Sequence, residues 1–287
     1  MYTTYQNLYK QLTNIYPLNE AKAIVRMVLE DRFGLTLADI YTDKVTQLSA
    51  DDASKLEKIM LRLAKGEPVQ YVLGSVTFCG RQFGVAPGVL IPRPETELLC
   101  EWVANSHDKP YCALQPPTPL RVLDVGTGSG CIAITLSLDM PNTVVSACDI
   151  SPEALLIARD NAIRLGAAVN FQLKDALQLA ATEETFDIIV SNPPYICDSE
   201  RTEMMQNVLD HEPPTALFVP DDDPLRFYRA IAEYGTTALS HSGELYFEIN
   251  DRFADEVSAM LNALGYAGTE VRTDQFGKQR FVKTMRA

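Results

Sequence analysis

The apolar positions over residues 19–33 recur with helical spacing. Ala21, Ile24, Val25, Val28 and Leu29 follow the i, i+3, i+4, i+7, i+8 rule of one buried stripe. A second stripe, Leu56, Ile59, Met60 and Leu63, is punctuated at both ends. Ser49 with Asp52 three residues later has the form of a capping box, and Gly66 stands where a left-handed residue closes a helix. Residues 1–68 are therefore expected to form a small helical bundle, and nothing in it has the form of a catalytic constellation. From residue 69 the texture changes to short β-prone runs, 69–73, 75–78 and 82–85, separated by Gly74, Gly80 and Gly84. These predict a β-hairpin linker over 69–94. A helix is expected to start near Glu95, followed by a connection rich in proline (Pro110, Pro116, Pro117, Pro119).

Beyond residue 119 the period alternates between strand and helix. The runs 121–125, 143–149, 169–173, 186–191 and 244–249 read as strands, and 131–138, 152–165 and 225–239 as helices. Such alternation predicts an α/β domain over 95–287 whose parallel sheet is covered on both faces. The last two runs, 269–273 and 280–284, flank Asp274-Gln275-Phe276-Gly277-Lys278 and read as a closing antiparallel pair.

Composition narrows the class. The 287 residues are 46% apolar and 22% charged, without repeats, and no apolar run approaches the roughly 20 residues that span a bilayer. The start, Met1-Tyr2-Thr3-Thr4-Tyr5-Gln6, lacks the basic-then-apolar pattern of a secretory signal. Six scattered cysteines (Cys79, Cys100, Cys112, Cys131, Cys148, Cys197) include no C-x-x-C pair and no neighbouring histidine cluster. Reduced thiols, no metal site and a cytoplasmic location are the expectation. The net charge of −13 is uneven. Residues 1–75 hold nine basic and nine acidic residues, so the whole excess lies in the remainder. A surface this acidic repels a phosphate backbone, which disfavours long nucleic acid; it serves solubility alone or, more sharply, a basic protein partner.

The candidate chemistry begins at Asp124-Val125-Gly126-Thr127-Gly128-Ser129-Gly130, an apolar strand running into a glycine-rich turn and then a helix. Glycines there permit positive φ and close approach of backbone to a ligand. The pattern alone also suits dinucleotide folds or a plain tight turn. Asp149 ends the next strand, where a carboxylate can accept both hydroxyls of an adenosine ribose, in NAD and S-adenosylmethionine alike. Residue 131 is cysteine, so the dinucleotide pattern G-x-G-x-x-G is missing. Asp175 stands where it can meet an adenine amino group or simply cap a turn.

Asn192-Pro193-Pro194-Tyr195 discriminates further. Tandem prolines fix φ and remove two backbone donors, which leaves a stiff loop that presents carbonyls. The Asn192 side-chain oxygen and the Pro193 carbonyl are two acceptors for the hydrogens of a planar NH2 group, and Tyr195 can pack its ring on that plane. A nucleic-acid amino-methyltransferase and a nucleotide-binding module without methyl chemistry stay open at this level. The first calls for a cationic groove, the second leaves the Asn-Pro-Pro-Tyr loop unexplained.

Asn-Pro-Pro-Tyr after a glycine-rich nucleotide turn resembles the methyltransferases of adenine, cytosine and glutamine amino groups. Ile91-Pro92-Arg93-Pro94-Glu95-Thr96-Glu97, Asp124–Gly130 as written above, and Glu212-Pro213-Pro214-Thr215-Ala216-Leu217 narrow the match. Together with the helical start, they make the chain similar over nearly its full length to the peptide chain release factor glutamine methyltransferases, the PrmC (HemK) family. The resemblance implies a seven-stranded, Rossmann-like methyltransferase domain behind a substrate-recognising helical bundle. It implies methyl transfer from S-adenosylmethionine, leaving S-adenosylhomocysteine, to the glutamine N5 in the Gly-Gly-Gln loop of class I release factors. Neither metal, nucleic acid nor membrane is implied. By motif, Gly126, Thr127, Gly128, Ser129 and Gly130 would line the methionine part of the cofactor, Asp149 the ribose, and Asp175 and Ala176 the adenine. Asn192 would border the cofactor too, and Asn192, Pro193, Pro194 and Tyr195 would clamp the glutamine, with Asn192 and Pro193 catalytic. Phe78, Phe83, Arg93 and Glu97 lie in the family's hairpin and linker walls without an assigned role. The chain departs at residues 218–225 (Phe-Val-Pro-Asp-Asp-Asp-Pro-Leu), where many relatives carry a glycine pair and Asp-Gly-Leu. It departs again at Ala176, where relatives often carry an aromatic residue.

Overall fold

The computed structural model describes residues 4–107, 118–180 and 184–287. Met1, Tyr2 and Thr3, Cys112, and Pro110, Pro116 and Pro117 of the proline-rich connection lie outside them. The chain divides into two compact units, one of residues 1–75 and 205–211, the other of 76–204 and 212–287.

The first unit is helical: α1 (Tyr5–Leu12), α2 (Leu18–Phe33), α3 (Leu37–Tyr41), α4 (Ala50–Leu63), α5 (Val69–Leu73) and, from the later segment, a short helix Gln206–His211. The anticipated α2 stripe is its core: Ala21, Val25, Val28 and Leu29 are fully buried, together with Leu12, Ile40 and Leu63. At the start of α4 the Ser49 hydroxyl accepts from Asp52 N (3.1 Å) and donates to the Asp52 carboxylate (2.9 Å). The stretch 69–73 is helical rather than extended, and tertiary contacts explain why. Val69, Tyr71, Val72 and Leu73 are all buried. The carbonyls left open at the end of so short a helix are taken by arginines: Arg62 donates to those of Tyr71 and Val72 (3.3 Å each), and Arg32 to that of Leu73. β propensity describes fit to a pleated surface, and it yields to burial of this kind.

The second unit opens with a hairpin whose first strand straddles the boundary, β1 (Ser75–Phe78) and β2 (Arg81–Gly84), then α6 (Pro94–Ser106). There follow β3 (Leu120–Val125), α7 (Cys131–Asp139), β4 (Thr143–Asp149), α8 (Pro152–Leu165), β5 (Val169–Leu173), β6 (Phe186–Ser191) and a short β7 (Ile196–Cys197). With Gln206–His211 counted as α9, the chain continues through β8 (Phe218–Val219), α10 (Arg226–Ala238), β9 (Leu239–Glu248), α11 (Ala254–Ala263), β10 (Tyr266–Thr273) and β11 (Gln279–Arg286). The seven-stranded sheet has the order β10-β11-β9-β6-β3-β4-β5. Five strands are parallel, and β11 runs antiparallel between β9 and β10, as the closing pair predicted. Val122, Ile188 and Val190 face a core built with α6 and α7, while Leu123, Val125 and Ile189 face a second core under α10 and α11. Apolar side chains on both faces are what a fully covered sheet requires.

The order of strand addition reverses beside β3. From β3 the order proceeds to β4 and β5 on one side, while β6 pairs on the other. Connections that leave a sheet in opposite directions open a crevice at the carboxyl ends of those strands.

Glu244 joins the antiparallel edge to the parallel sheet. Its carboxylate accepts from Lys283 Nζ (2.7 Å), the Tyr246 hydroxyl (2.5 Å) and, at 2.9 Å, meets His107 Nε2. Burial works to raise its pKa, but the hydrogen bonds from His107, Lys283 and Tyr246 outweigh it and hold the group at about 2. A folded pKa below the ordinary 4.5 stabilises the protein above that pH, and the gain is lost as pH falls toward 2. Glu244→Gln should therefore lower stability at neutral pH by on the order of 2 kcal/mol. Denaturant titrations of both proteins from pH 7 downward should show the gap closing below pH 4.5.

Candidate active site

The turn after β3 holds Gly126, Gly128 and Gly130 at φ of 77°, 55° and 83°. A Cβ at Gly126 or Gly128 would meet open space, so both present bare backbone to the crevice. Gly130 serves another purpose. A Cβ there would come within 2.9 Å of Ile134 and 3.1 Å of Ala158, so it lets α7 and α8 pack closely. Beneath the turn lies Asp124, fully buried. One of its oxygens accepts from the Thr127 hydroxyl (2.6 Å) and from Ala133 N (3.2 Å), which ties the turn to the first turn of α7. Burial pushes this carboxyl up to about 7 against those hydrogen bonds.

The crevice is a cavity of ≈ 320 Å³, within the range of small-molecule sites. Its walls include Gly126 and Gly128, Asp149 and Ile150 after β4, Asp175 and Ala176 after β5, and Asn192, Pro193 and Pro194 after β6. Four strand ends thus bring these predicted residues together. Thr127, Ser129, Gly130 and Tyr195 stand behind the wall: the first is held on Asp124, and Tyr195 packs against the second core. Asp149 accepts from Gly128 N (2.8 Å) and Ser151 N (2.9 Å), one on each oxygen, leaving lone pairs for two further donors. Burial raises its pKa, opposed by these backbone donors. Asp175 accepts from Leu177 N (2.9 Å) and the Gln178 side chain (2.8 Å), so it caps a single 3-10 turn as well as lining the cavity.

The loop after β6 is fixed from several sides. Asn192 Nδ2 donates to Thr96 Oγ1 (3.2 Å), the Tyr195 hydroxyl to Glu248 (3.1 Å), and Asn250 Nδ2 to the Tyr195 carbonyl (3.1 Å). Residues 88–90 and Pro213, Thr215, Ala216 and Phe218 also line the wall, with Arg226 and Phe227 from α10. The departing stretch 218–225 is tied down by its acids. Asp221 accepts from the Ser199 backbone (3.0 Å) and hydroxyl (2.7 Å), and Asp223 pairs with Arg229 (3.0 Å).

The sequence matches the Methyltransferase small domain family over residues 112–217 and the PrmC N-terminal domain family over 5–74. It is 47% identical to a release factor glutamine methyltransferase of Bacteroides thetaiotaomicron, over 96% of this chain and 97% of that one. The chain belongs to the release factor glutamine methyltransferase family, and it is a methyltransferase. The enzyme of the same name from Flavobacterium psychrophilum is 39% identical over 95% of this chain and 94% of its own. Among solved structures, the fold is similar to that of a 16S rRNA N2 G1207 methyltransferase of Thermus thermophilus. The TM-score is 0.52 at 16% identity, covering 74% of this chain and 50% of that one.

In this family member the stretches that carry the resemblance are bonded to one another. Glu212, buried, accepts from Ile91 N (3.1 Å) and pairs with Arg93 (2.6 Å), joining the segment before α6 to Glu212-Pro213-Pro214. Glu97 accepts from Cys79 N (3.0 Å) at the hairpin turn, where Cys79 has φ 45°. Phe78 and Phe83 meet edge to face at 5.8 Å inside the core and do not line the cavity. Thr96 and Glu248, which the motif reading did not single out, hold the Asn192 loop. Glu248 carries a signal that reading passed over: like Asp149, it is a carboxylate at the end of a parallel strand.

The double function of Gly130 yields a test. Gly130→Ala should destabilise by about 1–3 kcal/mol, since it combines a strained φ with contacts to Ile134 and Ala158. Thermal melts of the two proteins would measure it, and equal midpoints would show that the helices can move apart at no cost.

Proposed function

We propose that the protein transfers a methyl group from S-adenosylmethionine to the side-chain nitrogen (N5) of the glutamine in the Gly-Gly-Gln loop of class I peptide chain release factors. The observation that carries this reading is that Asn192 and Pro193 stand on the same cavity wall as Gly126, Gly128 and Asp149. An acceptor pair for an NH2 group thus adjoins a place suited to an adenosyl ligand. The residues fit such a cofactor. Bare backbone at Gly126 and Gly128 admits its methionine part, Asp149 has lone pairs for the ribose hydroxyls, and Asp175 and Ala176 border the adenine. When bound, S-adenosylmethionine supplies a methyl group activated by a sulfonium.

An amide nitrogen is a poor nucleophile because its lone pair is delocalised into the carbonyl. The Asn192 oxygen and the Pro193 carbonyl accept the two NH2 hydrogens, favour a pyramidal nitrogen and aim its lone pair along the line of attack. Reaction needs alignment at about 3–3.5 Å. The same two oxygens stabilise the positive charge that grows on nitrogen. No strong base is needed before attack, because the departing proton becomes acidic only as the new bond forms. Pro194 stiffens the loop, and the Tyr195 hydroxyl anchors it through Glu248.

The helical unit, residues 1–75 with 205–211, is assigned to recognition of the release factor, and the unit of 76–204 and 212–287 to catalysis. The acidic charge beyond residue 75 favours a protein partner over nucleic acid, and reduced cysteines suit the cytoplasm. No metal has a role in this chemistry. Among the described residues no helix is long and apolar enough to cross a membrane.

Mass spectrometry of a release factor incubated with the enzyme and S-adenosylmethionine should find one added methyl on the glutamine of that loop, and a factor left unmodified would refute the assignment. Asn192→Ala should lower the turnover number by about 10²–10³, the usual cost of losing one well-placed transition-state hydrogen bond. Asp149→Ala should instead weaken cofactor binding, which calorimetry would record as a raised dissociation constant.

A further inference from the structure

The side chain of Asn192 has an oxygen edge and an NH2 edge, and only the oxygen can accept from a substrate NH2. Asn192 does not itself decide which edge meets the cavity. Its Nδ2 lies 3.2 Å from Thr96 Oγ1, and Thr96 Oγ1 lies 2.7 Å from Glu248 Oε2. Glu248, 1% exposed at the end of β9, receives the Tyr195 hydroxyl on its other oxygen at 3.1 Å. Burial raises the Glu248 pKa, opposed by the hydrogen bonds from Thr96 and Tyr195 and by the positive charge of Arg280. Each Glu248 oxygen is met by a hydroxyl, and in its ionised form the carboxylate only accepts, so the single hydroxyl proton of Thr96 is then committed to Glu248. The Thr96 oxygen is then left with lone pairs alone, and whatever group faces it must donate. Asn192 satisfies that demand by turning its NH2 toward Thr96, which points its oxygen the other way.

We propose that Thr96 and Glu248 are positioning residues: their one-way series of hydrogen bonds holds the Asn192 amide with its oxygen presented to the acceptor nitrogen. Thr96 suits the part. It is 2% exposed in the first turn of α6, its backbone N bonded to the Arg93 carbonyl (3.1 Å), so its hydroxyl has little freedom. Glu248 terminates a strand between two sheet neighbours and is equally fixed. A polar chain closed inside the protein imposes a direction because an unpaired member would be costly there. The inference rests on Asn192 acting as the acceptor clamp.

Four variants test it in one assay: Thr96→Val, which keeps the shape and removes the hydroxyl; Thr96→Ser, which restores the hydroxyl; Glu248→Gln; and Asn192→Ala. In Glu248→Gln the new amide can offer a donor to Thr96, whose proton then turns to Asn192 and permits the wrong edge to face out. Thr96→Val and Glu248→Gln should each lower kcat by about tenfold or more, a modest fraction of what a fully lost transition-state hydrogen bond costs. Calorimetric affinity for S-adenosylmethionine should stay unchanged in both, and Thr96→Ser should recover most of the rate. Thermal melts identify variants that fail to fold, and if Thr96→Val does, Glu248→Gln carries the test. Wild-type kcat in Thr96→Val beside an inactive Asn192→Ala would overturn the positioning role and leave the clamp standing. Thr96→Ser as slow as Thr96→Val would also overturn it, marking Thr96 as packing only. Wild-type kcat in Asn192→Ala would instead refute the clamp reading beneath it.

Discussion

The reversal of strand order beside β3 is the constraint on which the remaining architecture depends. Crossovers that run outward in both directions cannot cover the carboxyl ends of β3 and β6, so a crevice opens there as a consequence of topology. Everything chemically distinctive sits at a strand end on that edge: the glycine turn after β3, Asp149 after β4, Asp175 after β5 and Asn192 after β6. These positions are separated along the chain by the helices that cover the sheet. The parallel sheet is thus a device for bringing short, stiff loops to one rim, and its apolar faces supply the rigidity they need.

Carboxylates inside this domain are placed by function as much as by stability. Burial alone penalises an ionised acid heavily, and each of these acids has donors, on one oxygen only at Asp124. Asp124 takes Thr127 and Ala133 and braces the glycine turn. Glu212 takes Arg93 and a backbone amide and draws two distant segments against the cavity. Glu248 takes two hydroxyls and so determines the direction of the bonds that reach Asn192. Glu244, remote from the cavity, fastens the antiparallel edge. The hydrogen bonds reduce the cost of burial and also fix a neighbour's geometry; they prevail over burial at Glu244, while burial prevails at Asp124 and Glu248.

The departures from the family pattern find local explanations. The stretch 218–225 carries no glycine, and Asp221 and Asp223 anchor it to Ser199 and Arg229. Ala176 and Phe227 of α10 line the same cavity and give its wall an apolar boundary.

The sequence by itself determined the strand–helix alternation, the closing antiparallel pair, the glycine turn, and the proline-stiffened loop at Asn192. Each is written in local periodicity or in residues whose backbone preferences are intrinsic. It misdirected at 69–73, where β-prone residues form a helix because neighbouring arginines and burial overrule their preference. It did not reveal that Thr127, Ser129 and Gly130 stand behind the turn rather than at the cavity, since side-chain direction within a tight turn depends on what packs behind it. Nor did it show the bond between Thr96 and Glu248, residues 152 positions apart. Only the tertiary structure decided that pairing, and with it which edge of the Asn192 amide is presented. A hydrogen bond's direction is settled by the full set of donors and acceptors around it, and that set exists only once the chain has folded.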